Sequence, residues 1–272
     1  MSYEIINYNA RRWIKQGDRL LAGYNCNDLR AYLFPLYTPN GGLVLQEAPP
    51  DHPHHQGLWA GLEIDGHDLW NAGSFGKLRH QQCSVQPLNE INTAIDARGC
   101  LLTHDLSWST AAAEVLLYER RIVRVSSEPD FTLVQWYSTF SHPDKTTTLG
   151  QTKESGIAIR IPPHWETAFG GTIRNAQGEF GETNTFDRPS PWVNVEGSVV
   201  GAVKAGVVLA ISADSELCTW FTRDYGIHVY NPARHRVITL IPGDTLTWSI
   251  KLLAYDGAQS IEQINGWVDS IQ

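Results

Sequence analysis

The stretch PPDHPHHQGLW, residues 49–59, concentrates groups that can do chemistry near neutral pH. Three of the ten histidines of the chain, His52, His54 and His55, fall within four positions, beside Asp51 and between prolines. Imidazole takes up and releases protons near neutrality and also binds metal ions. The spacing therefore predicts an acid–base group at His54 or His55, a metal site, or a proline-stiffened surface loop.

The residues after these histidines alternate as in a β-strand. One face, predicted to be the core, has Leu58, Ala60, Leu62 and Ile64, and the other has His55, Gly57, Trp59, Gly61 and Glu63. An indole, gaps at glycine, a histidine and a carboxylate on one face suit a sugar-sized ligand. We therefore expect Trp59 and Trp70 to stack on a sugar ring and His52 to bind it, an ordinary solvated sheet face being the alternative.

A metal site would depend first on His52 and His54, which alternate through Pro53 and so can face one ion. Asp51 or Glu63 could add oxygen ligands. Zinc-type sites need three or four ligands, and the sequence does not identify which others converge. We therefore expect no cofactor, and a divalent metal near His52 and His54 is the alternative.

A second unusual segment is QTKESGIAIRIP, residues 151–162. Alternation places three isoleucines on one face and Glu154, Ala158 and Arg160 on the other, with a gap at Gly156. Lys153 and Glu154 are predicted to be catalytic and Arg160 to bind an anionic group. The alternative is a surface ion pair that contributes little to stability.

The third segment is WFTRDYGIHVYNP, residues 220–232. Its alternation predicts a strand with Arg223 and Asp224 in the middle, where charges are costly unless they are paired or functional. We expect these two residues to be catalytic and Tyr225, His228 and Asn231 to contact the substrate. A structural Arg–Asp network is the alternative.

The elements that position these residues are predicted to be strands almost throughout. Period-two runs of β-branched and aromatic residues are separated by turn signals every eight to fifteen residues, which indicates a large antiparallel β-sandwich in one domain, residues 1–272. The exception is AQSIEQINGWVDSI, whose apolar residues follow a helical stripe. We predict a helix near residues 259–271 that covers one end or edge of a sheet.

Composition excludes several classes of partner. The net charge of −8 and the absence of any Lys/Arg run longer than two argue against nucleic acid and anionic membranes. The longest apolar stretch is interrupted by Lys204, and no segment near Met1 has the pattern of a signal peptide. The four cysteines are scattered without a C-x-x-C motif. We expect a cytoplasmic protein with reduced thiols.

Four segments in order carry a resemblance to a known family: residues 38–71, TKESGIAIRIP, SPWVNVEG and FTRDYGIHVYNP. They resemble a bacterial family of β proteins labelled "methane oxygenase PmoA", of the DUF6807 type, over about residues 30–257. The motif R-D-Y-G-x-x-x-x-N-P is intact at 223–232, whereas Gln56 replaces the arginine of the usual H-H-R-G/S-L-W. A methane monooxygenase subunit spans a membrane with several helices, and this sequence has no such segment, so we reject oxygenase chemistry.

The resemblance implies carbohydrate catabolism and is compatible with a galactose-mutarotase-like sandwich, in which histidine and a carboxylate transfer protons on a concave sheet. We expect an isomerase, epimerase or lyase acting on a keto sugar, reducing sugar or glycoside. Its acid–base groups would be His54 or His55, Glu154 and Asp224, and its anion-stabilising groups Lys153, Arg160 and Arg223. A non-catalytic carbohydrate-binding or partner subunit is the alternative, and a homo-oligomer is left open.

Overall fold

The computed structural model describes residues 2–26, 30–71, 76–88, 98–199 and 203–271. Strands account for 55% and helices for 8% of the structure, which confirms the predicted all-β class. The strands are β1 Tyr3–Tyr8, β2 Arg11–Gln16, β3 Arg19–Cys26, β4 Ala31–Leu36, β5 Leu58–Gly61, β6 Glu63–Ile64, β7 His67–Asp68, β8 Gly76–Leu88, β9 Gly99–Thr110, β10 Val115–Ser127, β11 Phe131–Ser141, β12 Thr147–Leu149, β13 Gly156–Arg160, β14 Thr172–Asn175, β15 Trp192–Ser198, β16 Lys204–Ile211, β17 Trp220–Thr222, β18 Ile227–Tyr230, β19 Ile238–Leu240 and β20 Thr245–Asp256. The α-helices are α1 Gly181–Thr185 and α2 Ile261–Ser270, and 3-10 turns lie at Pro163–Trp165 and Thr167–Phe169.

The strands form two large antiparallel sheets and one small one. The first sheet has the order β1-β2-β3-β4-β5-β13-β18-β17, and the second has the order β14-β15-β16-β20-β11-β10-β9-β8. A third sheet has the order β19-β12-β6-β7. The largest apolar cluster draws on both large sheets, so their inner faces pack on one another as a sandwich. Across the described ranges, no helix has the length and apolarity needed to cross a membrane.

A buried ion pair connects the two large sheets through the core. Arg121 of β10 pairs with Glu119 at 2.7 Å, and both side chains are fully buried. Arg121 also donates to the Ala31 carbonyl at 2.6 Å and to the Tyr24 hydroxyl at 3.2 Å, both on the first sheet. Because a buried charge is tolerated only when it is paired and hydrogen-bonded, this network fixes how the sheets face each other.

The C-terminal helix lies where its periodicity predicts, with Ser260 as the N-cap that accepts a hydrogen bond from the Gln263 amide at 3.1 Å. Its buried residues Ile264, Trp267 and Val268 pack on strand residues of the second sheet. The helix therefore covers the outer face of that sheet, rather than an end or an edge as the sequence suggested. The helix shields this outer face from water, because the strands of the second sheet carry apolar side chains on it as well as on the inner face.

Candidate functional site

The outer face of the first sheet carries a separate aromatic cluster. Trp59 of β5 lies directly opposite Ala158 of β13, and both belong to this cluster, whereas the flanking Leu58 and Ile159 belong to the core. Alternation along paired strands produces this division, as the sequence predicted for both segments. The cluster also includes Tyr32, Trp70, Phe221, Ile227 and Val229.

The histidine-rich loop folds back tightly over the start of β5. The Ala48 amide donates to the His55 carbonyl at 2.9 Å, and the His55 amide donates to the His52 carbonyl at 3.0 Å. Gly57 has a φ of 61°, and a Cβ there would lie 2.3 Å from the Leu33 carbonyl oxygen. Glycine is therefore required at this point, where the loop enters the strand. The gap predicted at Gly57 is filled by the backbone of the protein itself.

Four rings from the loop, β5 and the β17–β18 turn form a continuous stack. Tyr225 lies on His52 with centroids 5.0 Å apart, His52 on His55 at 4.6 Å, and His55 on Trp59 at 5.2 Å. His54 meets His55 edge-on at 4.5 Å. The stack runs from the buried indole to the partly exposed Tyr225, so it links the sheet interior to the surface.

Arg160 lies beside this stack and is fully buried. Its Nη2 donates to Asp51 Oδ2 at 2.8 Å and to Glu166 Oε1 at 3.1 Å. Its Nη1 lies 3.3 Å from His55 Nδ1, and its guanidinium carbon is 5.4 Å from the Tyr225 ring centre. One cation thus holds two carboxylates and one imidazole in fixed positions.

These contacts shift the pKa values of the neighbouring carboxyl groups Asp51 and Glu166 in opposite directions. Burial raises the pKa of Asp51, but hydrogen bonds from His52 and Arg160 outweigh it and lower the pKa to about 2. Burial raises the pKa of Glu166, and although Arg160 opposes this, the net shift is upward. Burial, His54, His52 and Arg160 lower the pKa of His55 to about 2. At neutral pH, His55 is therefore uncharged and is a weaker base than an ordinary imidazole.

The three segments singled out in the sequence meet at this cluster. Asp51 and His52 contact Arg160 and Tyr225, which come from the second and third segments. Glu154 from the second segment raises the pKa of His54 electrostatically, although burial keeps that pKa below its ordinary value. The three segments therefore converge in the structure, and the catalytic roles stay predictions.

Lys153 and Glu154 lie in a bend before β13 rather than within the strand. Their side chains form an ion pair of 3.3 Å in which Lys153 is 73% exposed. This is the geometry of the surface pair that was the alternative in the sequence analysis, and such pairs contribute little to stability. The Lys153 backbone carbonyl accepts a hydrogen bond from Arg234.

Arg223 and Asp224 were predicted in the middle of a strand, and this prediction is wrong. They lie in the turn that joins β17 to β18, where the Gly226 amide donates to the Arg223 carbonyl at 2.9 Å. Arg223 pairs with Glu182 at 3.0 Å, and the Asp224 amide donates to the same carboxylate at 2.7 Å. Because the turn lies at the surface, these charged side chains can occur in an aromatic segment without a buried ion-pair partner.

His228 does not share the face of the aromatic cluster. It pairs across the sheet with Ile159 and Thr222, and Ile159 belongs to the core. Its neighbours Ile227 and Val229 point to the aromatic face instead. The alternation of the strand therefore directs His228 toward the core, and its contact with a substrate stays a prediction of the sequence.

The amide of Asn231 is occupied by structural contacts. Its Nδ2 donates to the Thr152 carbonyl at 2.8 Å, and its Oδ1 accepts from the Ala233 amide at 3.0 Å. These bonds tie the end of β18 to the segment before β13. In this arrangement Asn231 positions the second and third segments rather than offering its amide to a ligand.

Trp59 and Trp70 are 0% and 3% exposed, so neither presents an open face on which a sugar could stack. Trp70 fills the space above Gly61, where a Cβ would come within 2.6 Å of its ring. The gap predicted at Gly61 therefore accommodates an indole of the protein. The rings of His52, His54 and Tyr225, which lie next to this cluster, are partly exposed.

Sequence reasoning missed Glu166, which joins Arg160, and Glu182, which holds the third segment. Glu166 lies between the two 3-10 turns, outside any periodic segment, so no pattern indicates where its side chain points. The available signal was a carboxylate six positions after Arg160, following a Pro-Pro turn. Glu182 lies in α1, a short helix with no apolar stripe.

Within the described part of the chain, one set of three metal-type ligand atoms lies close together, and it belongs to Cys26, Cys83 and His104. The loop histidines do not form such a set with their neighbours in those same ranges. His52 instead hydrogen-bonds Asp51 at 2.8 Å through Nδ1. A divalent metal near His52 and His54 stays a prediction of the sequence.

Comparison with known families matches residues 13–269 to a family described as "Family of unknown function (DUF6807)", and the chain belongs to this family. That description does not carry the methane oxygenase label. A comparison with curated proteins gives no match.

Solved structures to which this chain is similar include a β-arabinopyranosidase, with a TM-score of 0.49 and 14% identity over 86% of this chain and 38% of that one. Another is the galactosidase domain of the α-galactosidase–sucrose kinase AgaSK, with a TM-score of 0.45 and 8% identity over 93% of this chain and 42% of that one. A third is the α-galactosidase AgaA of Geobacillus stearothermophilus in complex with raffinose, with a TM-score of 0.38 and 10% identity over 94% of this chain and 41% of that one. The chain thus spans less than half the length of each.

Proposed function

We propose that this member of the DUF6807 family is an enzyme that moves a proton on a polyhydroxylated carbonyl compound, such as a keto sugar or a reducing sugar. The observation that supports this most is the pair of carboxylates, Asp51 and Glu166, that share Nη2 of buried Arg160. Their pKa values are displaced in opposite directions. Such divergence is typical of sites where one carboxyl exchanges a proton and the other stays ionised.

In this proposal Glu166 exchanges the proton, because its raised pKa brings protonation closer to working pH. Asp51 stays ionised and holds Arg160 and His52. The guanidinium of Arg160 can only donate hydrogen bonds, so His55 Nδ1 accepts one from it and the ring carries its hydrogen on Nε2. His55 is then a fixed neutral donor that can stabilise an oxyanion, in place of the base expected from the sequence.

The reaction class follows from these roles. Glu166 would remove a proton from the carbon next to the carbonyl, and the Nε2 hydrogen of His55 would stabilise the enolate, while the fully buried Arg160 keeps Glu166 and His55 in place. Delivery of a proton from solvent to the opposite face of that carbon gives epimerisation, whereas departure of an oxygen substituent from the next carbon, protonated by Glu166 as it leaves, gives elimination. The rings and polar edges of His52, His54 and Tyr225 suit a ligand that combines apolar faces with hydroxyl groups.

Hydrogen exchange in D2O tests this function without knowledge of the final product. Keto and reducing sugars are incubated with the protein, and mass spectrometry measures deuterium at the carbon next to the carbonyl. We expect wild-type exchange and a fall of about 100- to 10,000-fold in Glu166→Gln. Glu154→Gln tests the acid–base residue that the sequence suggested and should keep most of the rate.

Glu196→Gln is the matched control. Glu196 pairs with Arg174 at 2.9 Å and its side chain is 14% exposed, compared with 19% for Glu166, but it lies on the second sheet. Full exchange in Glu166→Gln would contradict the assignment of the proton to this residue. If the wild type binds sugars but exchanges no hydrogen on any of them, the protein is a carbohydrate-binding module and the enzymatic proposal is wrong.

A further inference from the structure

A second cluster of reactive side chains lies inside the sandwich, where β3 of the first sheet meets β8 and β9 of the second. Cys83 and His104 are direct cross-strand neighbours, so their side chains share a face. The Sγ atoms of Cys26 and Cys83 are 3.3 Å apart. One ligand atom from each of the three residues lies within 4.8 Å of the others.

The ring of His104 is oriented by a neighbour and keeps one nitrogen without a partner. Its Nδ1 lies 3.0 Å from the hydroxyl of Tyr24, which also accepts a hydrogen bond from Arg121 at 3.2 Å. Its Nε2 is buried and has no hydrogen-bond partner among the described residues. A hydroxyl that accepts the Nδ1 hydrogen leaves a lone pair on Nε2, which is how histidines that bind metals are usually held.

The surroundings shift the two thiols in opposite directions, because the hydrogen bond to Cys83 and burial raise the pKa of Cys26. The hydrogen bond from Cys26, followed by the charges of Arg12 and Arg121, lowers the pKa of Cys83 although burial opposes it. Burial, Arg121 and His80 lower the pKa of His104 to about 3, so its ring is neutral at physiological pH. Metal ions bind thiolate and neutral imidazole.

The cluster is reached from outside through a cavity of about 520 Å³, lined by seven residues that include Cys26, Cys83, Arg12 and His80. The cavity gives an ion a path to both sulfurs and leaves space for water at a fourth position. The rings of His80 and His104 have centroids 6.0 Å apart. His80 is therefore a candidate for the fourth ligand, although it lies outside the set of three in this structure.

We propose that Cys26, Cys83 and His104 form a site for a thiophilic divalent cation, with zinc as the ion to test. Two sulfurs and one imidazole nitrogen are ligands that zinc prefers, and a fourth, open position toward the cavity is filled by water or by His80. Binding replaces the hydrogen of each thiol by a bond to the ion, so protons are released to solvent. The ion would then join the first sheet to the second at this end of the sandwich.

Zinc and cobalt(II) titrations of the fully reduced protein test this site directly. Cobalt(II) should give thiolate-to-metal charge-transfer absorption in the near ultraviolet and visible bands typical of four-coordination. Competition against a chromophoric chelator gives the zinc affinity and stoichiometry, and we expect one ion per chain. Zinc should also raise the melting temperature, because the assembled site of the folded chain binds it more tightly than the unfolded chain does.

Loss of a residue that only hydrogen-bonds a metal ligand costs about 10- to 100-fold in affinity. The variant Cys83→Ser loses a ligand itself, so it should weaken zinc binding by more than this. Tyr24→Phe removes such a hydrogen-bonding partner of His104, together with an acceptor of Arg121, and should fall within this range. Cys218→Ser is the matched control, since Cys218 is also a partly buried free thiol but lies outside the cluster. It should bind zinc like the wild type.

The cobalt spectrum of the wild type decides the matter even if Cys83→Ser does not fold. Absence of thiolate charge-transfer bands in the reduced wild type would overturn the proposal. So would equal zinc affinity in the wild type and a folded Cys83→Ser. A Cys26–Cys83 disulfide in the purified protein, with no zinc binding after its reduction, would show that the pair is a redox couple and not a metal site.

Discussion

The neutral, buried His228 predicts a specific loss of stability in acid. Its side chain is fully buried, and in the described ranges neither ring nitrogen has a hydrogen-bond partner. Burial, assisted by the charge of Arg160, lowers its pKa to about 3, from an ordinary 6.5. Between these values the unfolded chain binds a proton that the folded chain does not, so stability falls as pH falls below 6.5.

The magnitude follows from linkage. Each pH unit within this window changes the free energy of unfolding by about 1.4 kcal/mol for one such group. At about pH 4.5, two units below the pKa of the residue in the unfolded chain, His228 alone should lower the free energy of unfolding by about 2 to 3 kcal/mol. His228→Leu abolishes this contribution, and near pH 7 it should be close to neutral because it also removes a polar group without partners.

Urea unfolding followed by tryptophan fluorescence, at about pH 7 and about pH 4.5, measures the effect. The stability difference between His228→Leu and the wild type should grow by about 2 to 3 kcal/mol in favour of the variant on acidification. His67→Leu, at an exposed position of β7, serves as the control and should show the same difference at both pH values. If the wild type and His228→Leu lose equal stability between the two conditions, then His228 is charged or partnered in the fold, and the reasoning fails.

Three further substitutions test the fold. Arg121→Met leaves Glu119 buried and unpaired and should destabilise the protein by about 3 to 5 kcal/mol in urea unfolding, whereas replacing both with apolar residues should recover most of the loss. Gly61→Ala introduces a Cβ 2.6 Å from Trp70, so near-ultraviolet circular dichroism should report a displaced indole; an unchanged spectrum would contradict this packing. Ser260→Ala removes the N-cap of α2 and should lower stability by about 0.5 to 2 kcal/mol, with Ser260→Gly closer to the wild type.

The sequence by itself was sufficient for the features that depend on local periodicity. Alternation at residues 58–64 and 157–161 assigned each side chain to the core or to the outer face, and the structure has the same division. The helical stripe likewise located α2, Ile261–Ser270. Such patterns are readable because one face of each element is apolar and its repeat is fixed by backbone geometry.

Tertiary structure decided what the polar residues can do. Asp51 and Arg160 are hydrogen-bonded although 109 positions separate them in the sequence, and Glu166 joins them from a segment without periodicity. The protonation of His55 depends on burial and on a neighbouring arginine, so its pKa of about 2 could not follow from residue type. Local pattern specifies which way a side chain points, whereas pKa and ligand sets depend on groups that only strand register and loop folding bring within a few ångströms.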